Sequence, residues 1–445
     1  MQNETPAWGI EPVPDRLRVL GTLDSFLLWT NLGISLLVLV AAAYLGLSLK
    51  QALLATVVGG VIGNTMLGVA AYIGADARVP TMALQRAPLG QRGSYLPTGL
   101  NVLQCLGWSV FEITIIAVAA DALMQRLFGI HLVWLWKLCF GGLGLVLALL
   151  GPIGFVRRFV RKIGIWAVGA SIVYLAIWIV EHGHVHRLWH SGGHGGSFWL
   201  GVDLVIALTV SWVPLVADYT RFARTPRSAF VGAGLGYLLP TLFQFGFGAI
   251  LVLSHPSIGG PTDVLTTVAA GGVGSVLALL ALTVDETDEA FANIYSTAVS
   301  MQNFFPRASQ RLLIVGVAVL ATAISLGIDL TQYQQFLLLL GAFFVPLFGV
   351  LLADWLVAGR HYSRAHIFHG PAWRPGMIGA WLVGFVLYEW LAQTQGLGFW
   401  SHWLARLHPL HGGIGASLPG FAVSFVLAVA IAAATQARRA ERVPA

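Results

Sequence analysis

Residues 208–222 read LTVSWVPLVADYTRF and residues 27–35 read LLWTNLGIS. Both are apolar runs interrupted from within. In the first, Pro214 removes the amide donor that would bond to the turn before it. In the second, Thr30, Asn31 and Gly33 break an otherwise continuous apolar helix. Unwound backbone inside a membrane is tolerated only where it is buried in protein or lines a cavity. Carbonyls released there can meet a cation, and released amides can meet a substrate.

The rest of the chain supplies the membrane. Of 445 residues, 57% are hydrophobic and 10% charged, against about 25% charged in a soluble domain. One soluble core of this size cannot hide that much apolar surface. About 20 apolar residues cross the hydrocarbon region as a helix. Such runs lie at 24–46, 51–74, 97–125, 132–152, 163–181, 199–220, 229–254, 264–303, 312–329, 333–357, 376–393 and 414–435. The eighth is too long for one straight crossing, so part of it belongs to the polar loop before it. These runs predict an all-α polytopic membrane protein of about twelve helices. The two broken runs are the first and the sixth, the correspondence that two inverted five-helix repeats produce.

Basic residues test the count. With the N-terminus in the cytoplasm, all of the 25 Lys and Arg fall on inside segments except Lys50, Arg126, Lys137, Arg187 and Arg406. Positive charge favours the cytoplasmic side, so both termini are predicted there, in a multi-pass inner-membrane protein. The formal charge of +6 does not indicate a nucleic-acid partner, because the basic residues sit in short loops and form no stripe. Cys105 and Cys139 fall inside apolar runs, which implies no disulfide framework. The polar N-terminus lacks the layout of a cleaved signal peptide. The loop 181–196, EHGHVHRLWHSGGHGG, carries His182, His184, His186, His190 and His194. It reads as a solvated glycine-rich loop, with a metal site as the alternative.

A carboxylate at mid-bilayer costs on the order of 2.5–3.5 kcal/mol, so such residues usually face a cavity. The third run reads NVLQCLGWSVFEI from residue 101 to 113. There Asn101, Gln104, Trp108 and Glu112 stack along one helical face. Packing of Trp108 against lipid would leave Glu112 unexplained. The eighth run contains LTVDETDEAFANIYSTAVS, residues 282–300. Glu286, Glu289, Asn293, Ser296 and Ser300 form a second polar stripe, with Asp285 and Asp288 on its shoulder. Four carboxylates so close cannot all be ionised in a low dielectric without counter-charges. The alternative places Asp285 and Glu286 in a solvated outer vestibule.

Trp108 and Trp212 can sandwich a planar ring by offset stacking. Glu112, Gln104 and Asp288 can address the ring edge, with Glu289, Ser211 and Asn31 completing the candidate substrate site. An amino acid or a sugar would need no pair of aromatic plates. A membrane enzyme would need a nucleophile–base pair or metal cluster at depth, yet the histidines lie in loops or at the ends of runs. A channel would show a repeated filter loop or charged rings, and none is visible.

Four segments carry a family resemblance. They are GADARVPTMALQRAPLGQRGSYLPTGLNVLQCLGW (74–108), SWVPLVADYTRFAR (211–224), DEAFANIYSTAVSMQN (288–303) and LFGVLLADWLV (347–357). Together they resemble the nucleobase:cation symporter family that includes purine–cytosine permeases. The resemblance implies a leucine-transporter-type core of two inverted repeats, 22–190 with helices 1–5 and 191–358 with helices 6–10. It also implies two extra helices within 359–437, cytoplasmic segments at 1–21 and 438–445, and alternating access. In that family a tryptophan of the third span and an aromatic of the sixth stack on the base, which correspond to Trp108 and Trp212. The polar residue one turn after the third-span tryptophan is here Glu112. The eighth-span asparagine falls near Asp288, where this sequence departs.

Sodium-coupled members use carbonyls of the broken first span, here around Trp29 to Leu32, and hydroxyl residues at the start of the eighth. This chain offers Thr287 and Thr283 there beside Asp285 and Glu286. Trp29, Leu32 and Thr287 are therefore the candidate sodium set, with a proton as the other coupling ion. No organic cofactor is implied. The partners are a nucleobase-like small molecule, a coupling cation and the bilayer. Glu112 and Asp288 suit an aminopyrimidine, either cytosine-like or like the hydroxymethylpyrimidine portion of thiamine.

Overall fold

A computed structural model describes residues 9–155, 181–193, 195–258, 261–270, 286–328, 333–392 and 415–440, with isolated positions between 166 and 177 and at 283 and 330. The first span is a bent pair: α1 (Thr22–Asn31) and α2 (Leu36–Ala41), the latter continued by a 3-10 turn, inclined by 55°. Then come α3 (Leu49–Ala77), the short α4 (Thr81–Leu84) and α5 (Arg86–Leu89), α6 (Tyr95–Phe128) and α7 (Val133–Phe155). Beyond the loop lie α8 (Val185–Trp189), α9 (Phe198–Val210), α10 (Val216–Thr220) and α11 (Pro226–Ser254). The chain continues through α12 (Pro261–Ala270), α13 (Thr287–Phe304), α14 (Gln310–Ser325) and α15 (Tyr333–Val357). It closes with α16 (Arg364–Phe368), α17 (Pro375–Ala392) and α18 (Ser417–Ala440).

Among the described residues, seven helices are long and apolar enough to cross a bilayer, or eight if α1 and α2 count as one span. The predicted sixth run is divided between α9 and α10. Of the eighth, α12 and α13 are described, and 271–282, 284 and 285 between them lie outside the described residues. The ninth is the shorter α14, and most of the run at 163–181 lies outside the described residues. Exposed apolar stripes such as Leu54, Val57 and Val61 on α3, or Leu312, Val315 and Val319 on α14, follow helical spacing. Apolar faces this extensive require a lipid or protein cover.

Both breaks have local causes. Asp24 accepts the Gly21 amide at 3.0 Å and starts α1. At its end Leu32 still bonds back to Leu28, but Gly33 and Ile34 donate to Thr30 and Asn31. This three-residue step passes over the Trp29 carbonyl. Ser35 then caps α2, its hydroxyl accepting the Leu37 amide at 3.1 Å. A side chain at position 33 would collide with the ring of Pro240 on α11, so only glycine lets the break lie against that helix. In the sixth span Trp212, Val213 and Leu215 donate to carbonyls three residues back, which steps the chain around Pro214.

Two groups of helices meet. α1, α3, α9 and α11 pack together, while α6, α7, α13 and α14 pack as a second set. α15 joins α9 to α18, and α17 packs on α18. Within the first set, Trp29 meets Trp212 edge-on at 5.7 Å, Tyr219 at 5.9 Å and Tyr237 at 6.2 Å. Such edge-to-face contacts contribute about 0.5–1.5 kcal/mol each beyond area burial. They tie the break of the first span to that of the sixth.

Candidate functional site

Between the two sets lies a narrow cavity of about 10 Å³, with room for little more than one water molecule. Ser35, Leu37 and Val38 line it from the first span, and Trp108 lines it from α6. Leu208, Ser211, Trp212 and Leu215 come from the broken sixth span, Tyr237 from α11, Glu289 and Asn293 from α13, and Tyr333 from α15. The wall is apolar and aromatic with a few polar groups, the composition of a small-molecule site. Both tryptophans are more than nine-tenths buried. Trp108 is held edge-on by Tyr333 at 5.8 Å and by Phe336 at 5.3 Å.

The predicted substrate residues divide. Trp108, Trp212, Ser211 and Glu289 line the cavity. Gln104 is not among the lining residues; its amide donates to the Ser211 carbonyl at 2.7 Å and to Asn101 Oδ1 at 3.0 Å. It braces the sixth-span break. Asn31 is buried in the turn that ends α1 and does not line the cavity. Glu112 sits behind the cavity, against the carboxylate of Glu289. Asp288 belongs to α13, but its side chain lies outside the described residues, as does Asp285.

Glu112, Glu286 and Glu289 each offer an oxygen within 4.8 Å of the other two, and all three are buried. Glu286 is not in a solvated vestibule. It is fully buried, accepts the Ser35 hydroxyl at 2.8 Å and also accepts the Leu36 amide. The acid therefore holds the far side of the first-span break. Two full negative charges no more than 4.8 Å apart repel by at least roughly 3 kcal/mol at an effective dielectric near 20. Three cannot persist there without protons or a cation.

For the candidate sodium set, Trp29 and Leu32 are fully buried at the end of the first half-span, and Thr287 is buried at the start of α13. The carbonyls stepped over at the break suit a hard cation. An eighth-span group that reaches this break is the carboxylate of Glu286.

Sequence reasoning did not find Tyr237, Tyr333, Leu37 or Val38 as wall residues. Each tyrosine sits in an apolar run where a phenol resembles core packing. The usable signal was that a buried Tyr hydroxyl needs a partner, and Tyr333 finds the Leu37 carbonyl at 3.2 Å. The histidines of the 181–193 loop are exposed at 182, 184, 186 and 190. Among the described residues they form no three-ligand group, and His194 lies outside them.

Residues 12–415 match the family model described as permease for cytosine/purines, uracil, thiamine and allantoin. The chain is 22% identical to the cytosine permease of Escherichia coli K12 over 384 residues, covering 84% of this chain and 83% of that protein. It is 24% identical to the hydantoin permease of Microbacterium maritypicum over 379 residues, 78% of this chain and 75% of that one. Its fold is similar to that of Mhp1, a nucleobase-cation-symport-1 family transporter solved in a closed conformation with bromovinylhydantoin bound. The TM-score is 0.77 at 18% identity, covering all of this chain and 97% of that one.

Proposed function

The chain belongs to the family of permeases for cytosine/purines, uracil, thiamine and allantoin, and from that premise we propose that it is a secondary-active symporter importing a planar nucleobase or related pyrimidine. It is a transporter and not an enzyme, and a multi-pass membrane protein. In the proposed mode the ring stacks between Trp108 and Trp212. Glu289 and Asn293 face its edge, and Ser211 offers a polar group at the sixth-span break. Glu112 acts behind Glu289. A cytosine-like or hydroxymethylpyrimidine-like ring fits because its amino group gives a carboxylate something to accept from. The cytosine permease among its relatives supports this class.

The observation that carries this reading is the placement of the two indoles. Trp108 comes from α6 and Trp212 from the break that follows α9, and they line one cavity together with a carboxylate. Alternating access follows if the sets rock about that cavity, with 22–190 and 191–358 as inverted repeats and both termini cytoplasmic. The bonds that bridge the sets include those of Gln104 to Ser211, of Glu286 to Ser35 and of Tyr219 to the Ala292 carbonyl. The coupling ion is a cation, sodium or a proton. When bound, a sodium ion at Trp29, Leu32 and Thr287 would supply positive charge beside the first-span break. Those residues would hold it through backbone carbonyls and one hydroxyl.

The test is uptake of labelled cytosine and hydroxymethylpyrimidine into proteoliposomes under imposed sodium or proton gradients. The proposal predicts accumulation above the external concentration, with solute recovered unchanged. Equilibration without accumulation would replace the symporter with a passive pathway.

A further inference from the structure

We propose that Glu112, Glu286 and Glu289 form a binding site for a hard, oxygen-ligated metal cation, built from three carboxylates of α6 and the start of α13. The binding claim stands on geometry alone. Its role as the coupling site rests on the transport reading above.

The first observation is convergence. Three carboxylate oxygens lie within 4.8 Å of one another. An ion at the centre of such a triangle would sit about 2.8 Å or less from each corner, in the range oxygen ligands reach around hard cations after modest closure. The second is an orphaned acid. Glu112 is fully buried, and apart from the neighbouring carboxyl groups of Glu286 and Glu289 neither of its oxygens meets a hydrogen-bond partner among the described residues. A buried carboxylate left in that state points to a ligand. Glu286, by contrast, already has donors at both oxygens, from Ser35 and Leu36.

The surroundings supply no competing positive charge among the described residues. Tyr44, Tyr237 and Tyr333 carry the neighbouring titratable groups from the first span, α11 and α15. Lys137 on α7, which packs against both α6 and α13, gives its ammonium to the Ser325 and Ile328 carbonyls. Cation binding would release the repulsion among the acids. Because Glu286 holds Ser35 and Leu36, it would also firm up the start of α2, whose Leu37 and Val38 line the cavity. Ion and ring would thereby stabilise the same arrangement, as linkage requires of a symporter.

The test is thermal unfolding of the full-length protein in detergent, without substrate, at fixed pH and ionic strength. Choline is replaced in turn by sodium, lithium or potassium, and in a second series by magnesium, calcium or manganese. The two series distinguish an alkali ion from a divalent one. At least one cation should raise Tm saturably. Its apparent affinity should fall by about tenfold or more in Glu112→Gln, because carboxylate sites are tuned by ligand charge. Should Glu112→Gln not fold, Glu112→Asp keeps the charge, withdraws the oxygens and should weaken the same response.

No response to any cation in the wild type would overturn the proposal. So would a sodium response that Glu112 substitution leaves untouched, since the ion would then sit at the carbonyls of Trp29 and Leu32. The two readings fail separately. A flat cation series with ring uptake intact removes this site, while a cation response without ring uptake removes the substrate assignment.

Discussion

Gln104 of α6 donates its side-chain amide to the main-chain carbonyl of Ser211 at 2.7 Å, joining the third span to the break in the sixth. That carbonyl belongs to the stretch in which Pro214 interrupts the helix, so a side chain supports the interrupted backbone. Ser211 and Trp212 line the cavity wall at this point.

Gln104→Leu tests the brace. An alkyl side chain cannot donate to a carbonyl, and an unpaired buried carbonyl costs about 1–3 kcal/mol. The variant should insert normally, unfold at lower temperature and bind the ring more weakly. Thermal unfolding and ligand titration check both effects. Unchanged binding would show that Ser211 is held by other means.

Gly33→Ala tests the close approach of the first-span break to α11. The added methyl meets the Pro240 ring, so transport should fall severely. Pro240→Ala should restore part of it in the double variant, because the two sites touch and their effects cannot add independently. Proteoliposome uptake by the two single variants and the double variant gives the cycle. Additive losses would contradict direct contact.

Asp203→Ala tests a scaffold element remote from the ligand. Asp203 on α9 accepts the amides of Ala416 at 2.7 Å and Ser417 at 3.0 Å, capping the start of α18. Loss of such a cap costs about 1 kcal/mol. Tm should drop while ring affinity stays within twofold of wild type. A large loss of affinity would place α18 closer to the transport cycle than its packing suggests.

Much of this arrangement is legible in the sequence, because membranes punish irregularity. Gly33 and Pro214 mark the breaks, and polar stripes at helical spacing mark the faces of α6 and α13 that turn inward. Trp108, Trp212, Ser211 and Glu289 could be read from those signals. Gln104 carries the same signal but uses its amide on backbone, a difference that depends on a contact 107 residues away. Glu286 was legible as an acid and not as the partner of Ser35, since the pair is 251 residues apart. Tyr237 and Tyr333 look like ordinary core aromatics until the helices are assembled.

The most direct measurement is equilibrium binding of cytosine and hydroxymethylpyrimidine to the wild type, Trp108→Ala and Trp212→Ala, each first shown to be folded by circular dichroism. Removing one stacking partner costs about 1–3 kcal/mol per base. Each variant should therefore bind between about fivefold and more than a hundredfold more weakly. Wild-type affinity in either variant would contradict a ring held between those two indoles.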